Sequence, residues 1–335
     1  MSERGRSTPV ATEHVRDRWK GYALALVAAT SWATGGITAK WMFTAAGAAT
    51  EGWRVPPLGF TVEPVVLAGA RALTAFAILL VYLLVTRRAA LRIKSGNLPF
   101  LIVFGVVALA GVHVTYFQAI SHTNVATAIL LEYLAPIFVL TFSVLFLRER
   151  LTWTLPVGVA LSITGCALVV GILTEGGLAV SRAGLAWGLA SAVFFAFYSL
   201  MGRYAAPRYS PWTLLVYGLG FAGLFWLAYL QGPRGLAEAF VSPVAIGAVV
   251  FIAVFSTIIP FASFLKALHY IDPTRATIVA TLEPVIAGVG AYVLLNEVFE
   301  LSQLVGGAVV LAAIMIVQAP APAEPAQPFD VPPAT

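Results

Sequence analysis

Residues 128–149 read AILLEYLAPIFVLTFSVLFLRE, and residues 276–297 read ATIVATLEPVIAGVGAYVLLNE. At an offset of 148 residues the two stretches align, and Pro136 falls on Pro284. Proline has no amide hydrogen, and its ring displaces the carbonyl four residues earlier, so each stretch is predicted to be a long apolar helix that is broken near its proline. We therefore predict that the chain is duplicated, with Pro136 and Pro284 as helix-break residues; the alternative is a tolerated kink that neighbouring helices fill.

The duplication extends well beyond these two stretches. The same offset pairs residues 116–169 with 264–317 without a gap. Along the chain, ten apolar runs each have about the ~20 residues that a bilayer requires. They are 22–43, 62–85, 98–121, 125–147, 154–173, 184–204, 212–230, 244–268, 274–295 and 302–317. Each half has five runs, and because five is an odd number the second half enters the membrane from the opposite side. The fold class that we predict is therefore an all-α integral membrane protein with ten transmembrane helices as two inverted five-helix repeats.

The composition excludes an ordinary soluble protein. Hydrophobic residues make up 60% of the 335 residues and charged residues only 10%, against about 25% charged residues in a typical globular chain. The net charge of +5 does not indicate a nucleic-acid partner, because the basic residues fall between the apolar runs. A soluble enzymatic domain has no room, since the longest internal loop, at 44–61, is short, and we assign that loop no role. The lone Cys166 excludes an intramolecular disulfide.

The basic residues between the runs predict the orientation of the chain. With the N-terminus in the cytoplasm, fifteen Lys and Arg residues lie on the cytoplasmic side and three on the other. This bias predicts a multi-pass protein of a bacterial inner membrane, with both termini cytoplasmic. The predicted organisation is a cytoplasmic polar tail at 1–20, two five-helix repeats at 21–173 and 182–318, and a disordered Pro-rich tail at 319–335.

The two halves share a motif that points to a known family. In the first half Ala128, Leu134 and Pro136 are followed by Leu147, Arg148 and Glu149, and in the second Ala276, Leu282 and Pro284 are followed by Leu295, Asn296 and Glu297. With ten apolar runs and an internal duplication, the chain resembles the EamA-like branch of the drug/metabolite transporter superfamily over residues 20–317. The resemblance implies a secondary transporter that exports small metabolites, often amino acids or amphipathic compounds, without ATP.

Two glutamates lie inside predicted helices. A charge at the centre of a span costs at least about 2.5 kcal/mol, so Glu132 and Glu283 are predicted to face the protein interior. They are three residues apart in the aligned repeat, which places them about 60° apart on equivalent helix faces, so both can line one cavity. We predict that they bind substrate, as anchors for an ammonium group or as proton acceptors. The alternative is a structural ion pair with Lys40, Arg71 or Lys266.

Other polar and aromatic residues lie well inside the runs. Arg71 is predicted to pair with Glu63 or with a central carboxylate, and to contact substrate. His113 is a candidate proton relay, with a packed, hydrogen-bonded histidine as the alternative. Aromatic residues near the middle of helices predict an aromatic-lined cavity, with core packing as the alternative. These aromatic residues are Trp32, Tyr116, Tyr133, Trp187, Phe195 and Tyr198. The predicted substrate site includes four of them: Trp32, Tyr116, Tyr133 and Tyr198.

Other functions stay open as alternatives. A carrier of phosphorylated or nucleotide-linked anions would need more cationic residues in the cavity than Arg71 and Lys40. The chain has no Gly-x-Ser-x-Gly, His-Glu-x-x-His or Walker A motif, so we predict no catalytic residue, metal or cofactor. An intramembrane enzyme and a non-transporting membrane scaffold are the alternatives from other classes. The predicted partners are a small-molecule substrate, with proton coupling as an option, and the lipid bilayer; no oligomeric state is predicted.

Overall fold

The computed structural model describes residues 10–43, 61–122, 125–146, 151–170, 172–173, 181–295 and 300–318. These residues form helices joined by short turns and contain no β-strand, so the predicted all-α class is confirmed for them. The α-helices are α1 (Val10–Phe43), α2 (Pro64–Thr86), α3 (Leu98–Val103), α4 (Ala110–His122), α5 (Val125–Glu132), α6 (Ala135–Phe146), α7 (Thr154–Val169), α8 (Arg182–Ala205), α9 (Pro211–Tyr229), α10 (Pro243–Ala253), α11 (Ile259–Ala267), α12 (Pro273–Ala280), α13 (Glu283–Leu295) and α14 (Leu301–Gln318).

Shorter helical segments join some of these helices. Three are 3₁₀-helices, at Arg88–Leu91, Ser95–Asn97 and Pro233–Phe240. Two are π-helical, at Phe104–Leu109 between α3 and α4 and at Val254–Ile258 between α10 and α11. The π-helical segments occur in the third apolar run of each half, so the duplication includes a local widening of the helix. Such segments are rare and often lie at functional sites.

The predicted apolar runs coincide with the helices, each run with one helix or with consecutive helical pieces. In the described residues, eight of these stretches are long and apolar enough to cross a membrane, from Pro64–Thr86 to Leu301–Gln318. The exceptions are α7, which has 16 residues where a span needs ~20, and α1, whose apolar part contains Ser31, Thr34 and Thr38. The chain is a multi-pass membrane protein, and the structure supports eight of the ten predicted spans.

Several predicted features lie outside the described residues. They are the N-terminal tail up to residue 9, most of the long loop at 44–60, the Leu-x-Glu segments at 147–150 and 296–299, and the Pro-rich tail at 319–335. The side chain of Lys40 is also outside them. The candidate site described below is built from the helices and the turns between them.

Two helices are broken at equivalent places in the repeat. Residues 133–134 separate α5 from α6, and residues 281–282 separate α12 from α13. Each proline is the second residue of the following helix. Amides in the first turn of a helix have no partner within that helix, so the missing amide of proline costs no hydrogen bond there. Within both breaks an amide donates to the carbonyl three residues earlier, at 3.2 Å for Leu134 and 3.1 Å for Leu282. The chain therefore tightens for one turn and then continues as a second helix.

The first helix of each half packs against the other half. α1 lies against α11, α12 and α13, while α8 lies against α4, α5 and α6. In the aligned repeat these two sets of contacts are equivalent, because α8 corresponds to α1 and α4–α6 correspond to α11–α13. α6 also packs against α12, which places the two broken helices side by side. The centre of the molecule is therefore the boundary between the halves.

The remaining helices pair across the same boundary. α2 packs against α9, and α7 packs against α14. Gly165 and Gly306 allow α7 and α14 to approach closely. A Cβ added to Gly165 would lie 2.9 Å from the carbonyl oxygen of Gly306, and a Cβ added to Gly306 would lie 2.8 Å from the carbonyl oxygen of Gly165. Small residues at such crossings are typical of helix pairs in membranes. The α7–α14 pair thus joins the last helices of the two halves.

Candidate functional site

The two helix breaks contact each other at the boundary between the halves. Tyr133, in the first break, donates its hydroxyl hydrogen to Oε2 of Glu283, the first residue after the second break, at 2.6 Å. Tyr133 is buried, and Glu283 is partly buried. One oxygen of the Glu283 carboxyl group is thus occupied by the opposite half. Among the described residues its other oxygen, Oε1, has no hydrogen-bond partner.

Glu132, the last residue of α5, is also bound from the opposite half. Ser191 of α8 donates its hydroxyl hydrogen to Oε2 of Glu132. Ser191 is fully buried, so this bond is made away from water, where hydrogen bonds are electrostatically stronger. Each central glutamate therefore accepts one hydroxyl hydrogen bond that crosses between the halves.

The predicted alternative for the two glutamates, a structural ion pair, does not occur among the described residues. There, Asp272 is the acidic partner in both ion pairs, with Arg203 at 3.9 Å and Arg275 at 2.6 Å. Lys266, one of the proposed partners, is exposed. A carboxyl group that is bound by a hydroxyl rather than by a cation keeps its capacity to bind a cationic ligand.

Arg71 of α2 and His113 of α4 form a second polar pair. Nη2 of Arg71 donates to Nε2 of His113 at 2.6 Å. Because arginine has only donors, the imidazole must accept at Nε2 and carry its hydrogen on Nδ1. Arg71 lies within electrostatic range of Tyr116, Glu132 and Glu283, and its Nε is buried without a hydrogen-bond partner. The site thus contains a guanidinium with an unused donor and two carboxyl groups nearby.

This geometry bears on the predicted proton relay at His113. The imidazole is buried, and its Nδ1 has no hydrogen-bond partner in the described part of the chain. A proton arriving at Nε2 would displace the Arg71 contact. His113 also packs its ring edge-on against Phe261 of α11 at 5.8 Å. The residue therefore joins the polar pair to an aromatic cluster, and a relay role stays a prediction.

The aromatic cluster lies between α1, α8 and α11. The ring centroid of Trp32 is 6.1 Å from that of Phe195, 5.3 Å from Phe261 and 5.5 Å from Phe264. Tyr198 packs against the same three phenylalanines. It is fully buried, and its hydroxyl has no partner among the described residues. Trp32 is only partly buried, so within this cluster it offers the aromatic surface that a ligand can reach.

The other predicted aromatic residues have different positions. Tyr116 of α4 is partly buried, packs against Phe117 at 5.5 Å and lies within electrostatic range of Glu132 and Glu283. Trp187 of α8 is 36% exposed, and its place in an aromatic-lined cavity stays a prediction. It lies eleven residues, or about three helical turns, before Tyr198 on α8, so the two side chains point to nearly the same side of that helix.

Two residues near the breaks were not predicted. In the aligned repeat Ser191 has the position of Ala28 in the first half. A polar residue in one half where the other half has alanine is the sequence signal that could have identified Ser191. The thiol of Cys166, on α7, donates to the carbonyl of Thr281 in the second break at 3.6 Å. A buried thiol that satisfies a carbonyl beside a helix break supports the structure of the break.

The side chains of the site can bind a ligand that carries charge. In the described residues there is no group of three or more His, Cys, Asp and Glu side chains that could hold a metal ion. The site offers carboxyl oxygens at two helix breaks, one unused guanidinium donor and an aromatic surface. A multi-pass helical membrane protein in which broken helices meet between two related halves has the architecture of a secondary transporter.

Comparison with known proteins agrees with this class. The chain belongs to the EamA-like transporter family, whose sequence profile matches residues 19–171 and 182–318. A crystal structure of 20% sequence identity superposes with a TM-score of 0.71 over 88% of this chain and 95% of the other, which shows the fold alone.

Two curated relatives are named as exporters. A probable terminal-alkyne amino-acid exporter of Streptantibioticus cattleyicolor is 29% identical over 68% of this chain and 75% of its own length. The threonine/homoserine exporter of Escherichia coli strain K12 is 26% identical over 66% of this chain and 71% of its own length. This chain is therefore similar to proteins that are named as exporters.

Proposed function

We propose that this chain is a secondary transporter that exports amino acids or similar small metabolites by alternating access. The observation that carries the proposal is the contact between the two helix breaks, where Tyr133 of one half binds Glu283 of the other. Secondary transporters bind their substrates where broken helices meet between repeats. The names of two relatives, both exporters of amino acids, support the substrate class.

An amino acid carries an ammonium and a carboxylate, and the central residues offer a partner for each. The ammonium binds to the carboxyl oxygens of Glu132 and Glu283. The carboxylate binds to Nε of Arg71, which is buried and has no partner among the described residues. The partly buried ring of Trp32 contacts the side chain of the substrate. Charge-assisted bonds of this kind are roughly twice as strong as neutral ones, so both poles contribute to selection.

Alternating access requires the halves to move around this site. The bonds from Ser191 to Glu132 and from Tyr133 to Glu283 both cross between the halves, so these bonds break and re-form during transport. A proton on either carboxyl group competes with the substrate ammonium. Carboxylates within spans serve as proton relays in pumps and transporters, and we propose that inward proton movement drives substrate outward.

The proposed architecture has ten spans, with α1 and α7 crossing the membrane in addition to the eight apolar stretches. The second repeat, at 182–318, is inverted relative to the first, at 21–173, and both termini are in the cytoplasm of a bacterial cell. The equivalent packing of α1 on α11–α13 and of α8 on α4–α6 supports a two-fold relation between the halves. The positive-inside bias supports the orientation.

Counterflow in proteoliposomes tests the function. Vesicles with purified protein are loaded with unlabelled L-threonine, and the uptake of radiolabelled L-threonine and of other neutral amino acids is measured at several pH values. The wild type is expected to exceed protein-free vesicles, and the Glu132→Gln/Glu283→Gln double variant is expected to fall to background. Glu238→Gln changes an exposed glutamate of the 3₁₀-helix at Pro233–Phe240 and is the matched control, with wild-type uptake expected.

Two results contradict the proposal. If the double variant keeps both the uptake rate and its pH dependence, the two carboxyl groups have no role in transport. In a parallel measurement, vesicles are loaded with a sugar phosphate. If the wild type exchanges the sugar phosphate but none of the amino acids, the proposed substrate class is wrong and the chain is a carrier of anions.

A further inference from the structure

A groove away from the transport site lies between α2 and α9. Its volume is about 530 Å³, within the range of small-ligand pockets. Phe76 and Leu80 line it from α2, and Phe221 lines it from α9. Among the described lining residues, Tyr217 is the one with a polar side chain, and its hydroxyl donates to the carbonyl of Leu91 at 2.8 Å. The wall of the groove is therefore apolar.

Two residues of α9 determine the shape of the groove. Gly220 leaves the space open, since a Cβ there would lie 2.9 Å from Cε2 of the Phe76 ring. Leu224 also lines the groove and is 61% exposed. The groove therefore opens to the outer surface of the bundle, which lipid tails cover in a membrane protein. An acyl chain is the apolar group that these surroundings supply.

One end of the groove adjoins a basic segment. Leu91 lines the groove and is the last residue of the 3₁₀-helix Arg88–Leu91. Residues 86–97 contain no Asp or Glu. Four basic side chains of this segment are exposed: Arg87, Arg88, Arg92 and Lys94. The apolar groove thus ends beside a cationic surface.

Two aromatic residues place this end of the groove at the membrane surface. The rings of Tyr82 and Trp212 lie 6.0 Å apart, and Tyr and Trp are enriched at the level of the lipid headgroups. The guanidinium of Arg87 lies 6.0 Å from the centroid of the Trp212 ring. The positive-inside bias explains a basic loop, but it does not explain why this loop adjoins an apolar groove.

We propose that the groove and the basic segment form a binding site for an anionic phospholipid. One acyl chain lies between α2 and α9, and the phosphate binds to Arg87 and Arg88. The groove accepts the chain of any phospholipid, so the selection for negative charge comes from the basic segment. The site uses none of the residues proposed for transport, and it goes beyond the proposed function.

Native mass spectrometry of the purified full-length protein tests the site. The protein is released from mixed micelles that contain equal amounts of phosphatidylglycerol and phosphatidylcholine, and the retained lipids are counted. The wild type is expected to prefer phosphatidylglycerol. Arg87→Gln/Arg88→Gln is expected to lower the ratio of the two retained lipids by at least about fivefold. Leu224→Asn is expected to lower the retention of both lipids.

Arg234→Gln, which changes an exposed arginine outside the segment, is the control and should retain the wild-type ratio. Equal retention of the two lipids by the wild type overturns the proposal, as does an unchanged ratio in the double arginine variant. If Leu224→Asn fails to fold, Gly220→Ala narrows the groove by one methyl group and is scored in the same way. If the groove holds a second copy of the chain, Leu224→Asn dissociates a dimer without changing lipid retention, and the proposal is also wrong.

Discussion

In the first helix break Glu132 is the last residue of α5, four positions before Pro136, whereas in the second break Glu283 is the first residue of α13, directly before Pro284. The backbone breaks at the same place in both halves because the prolines have the same position. The carboxyl groups have not kept a common position, and their donors differ as well. Glu132 accepts from Ser191 of a continuous helix, while Glu283 accepts from Tyr133 of the other break.

This difference separates the roles of the two carboxyl groups. The Glu283 bond joins two segments that are both interrupted, so a movement of either half acts on it directly. The Glu132 bond joins the end of α5 to α8, which is unbroken from Arg182 to Ala205. We therefore expect Glu283 to be coupled more strongly to the movement of the halves. The two halves share the backbone break but differ in the side chains around it, so the site is asymmetric.

The largest expected effect comes from single substitutions of the two glutamates. Each substitution removes the charged partner of the substrate ammonium. Hydrogen bonds to charged groups contribute roughly 1.5–3 kcal/mol, which corresponds to about 10–100-fold in a rate. We expect Glu283→Gln to lower the initial rate of L-threonine counterflow by about 100-fold and Glu132→Gln by about 10-fold. Thermal melting of both purified variants checks that the fold is retained. A greater loss in Glu132→Gln than in Glu283→Gln would reverse the comparison.

A smaller effect is expected from the two hydroxyl donors. Tyr133→Phe and Ser191→Ala each remove one hydrogen bond, worth about 1 kcal/mol, so each rate is expected to fall about fivefold. Because Tyr133 and Glu283 act as a pair, Tyr133→Phe should lower the counterflow rate of the Glu283→Gln variant only slightly further. A double-mutant cycle of counterflow rates measures this non-additivity. Additive losses for this pair would show that the break-to-break bond has no role in transport.

The smallest effect is expected at Cys166, which supports only the second break. Cys166→Ala removes a weak donor to the Thr281 carbonyl. Interhelical hydrogen bonds in membranes average about 0.6 kcal/mol, so the melting temperature should fall by about one to two degrees and the transport rate should stay within about twofold. Cys166→Ser keeps a donor at the same place and is the matched comparison. Loss of transport in both variants, without loss of stability, would assign the thiol a direct role.

Much of the fold could be predicted from local patterns. The apolar runs predicted the helices, because a bilayer requires a minimum length of uninterrupted apolar sequence. The prolines predicted where two helices break, because proline excludes an amide hydrogen bond in any surroundings. The repeat offset predicted that the breaks are equivalent. Each of these inferences depends on the order of residues along the chain and not on how its segments pack.

The contacts within the candidate site could not be predicted in the same way. Ser191 lies on α8 and Glu132 on α5, and only the packing of these helices makes the hydroxyl a donor to the carboxyl group. Phe197 and Tyr198 are adjacent in the same apolar run and lie about 100° apart around α8, yet Phe197 is exposed and Tyr198 is fully buried. Rotation of a helix about its axis decides such cases, and an almost wholly apolar run contains little periodicity that reveals it.

The sequence by itself determined that this protein is helical, that it lies in a membrane, that it is duplicated and that two of its helices break at prolines. The duplication follows from the alignment of the two halves at one offset, and the other properties follow from the cost of unpaired backbone groups in hydrocarbon and from the missing amide of proline. The tertiary structure alone decided that the two breaks meet, that among the described side chains hydroxyl groups bind the two glutamates, and that Arg71 binds His113. Those contacts join residues far apart in the chain, and they depend on how the helices pack and rotate against one another.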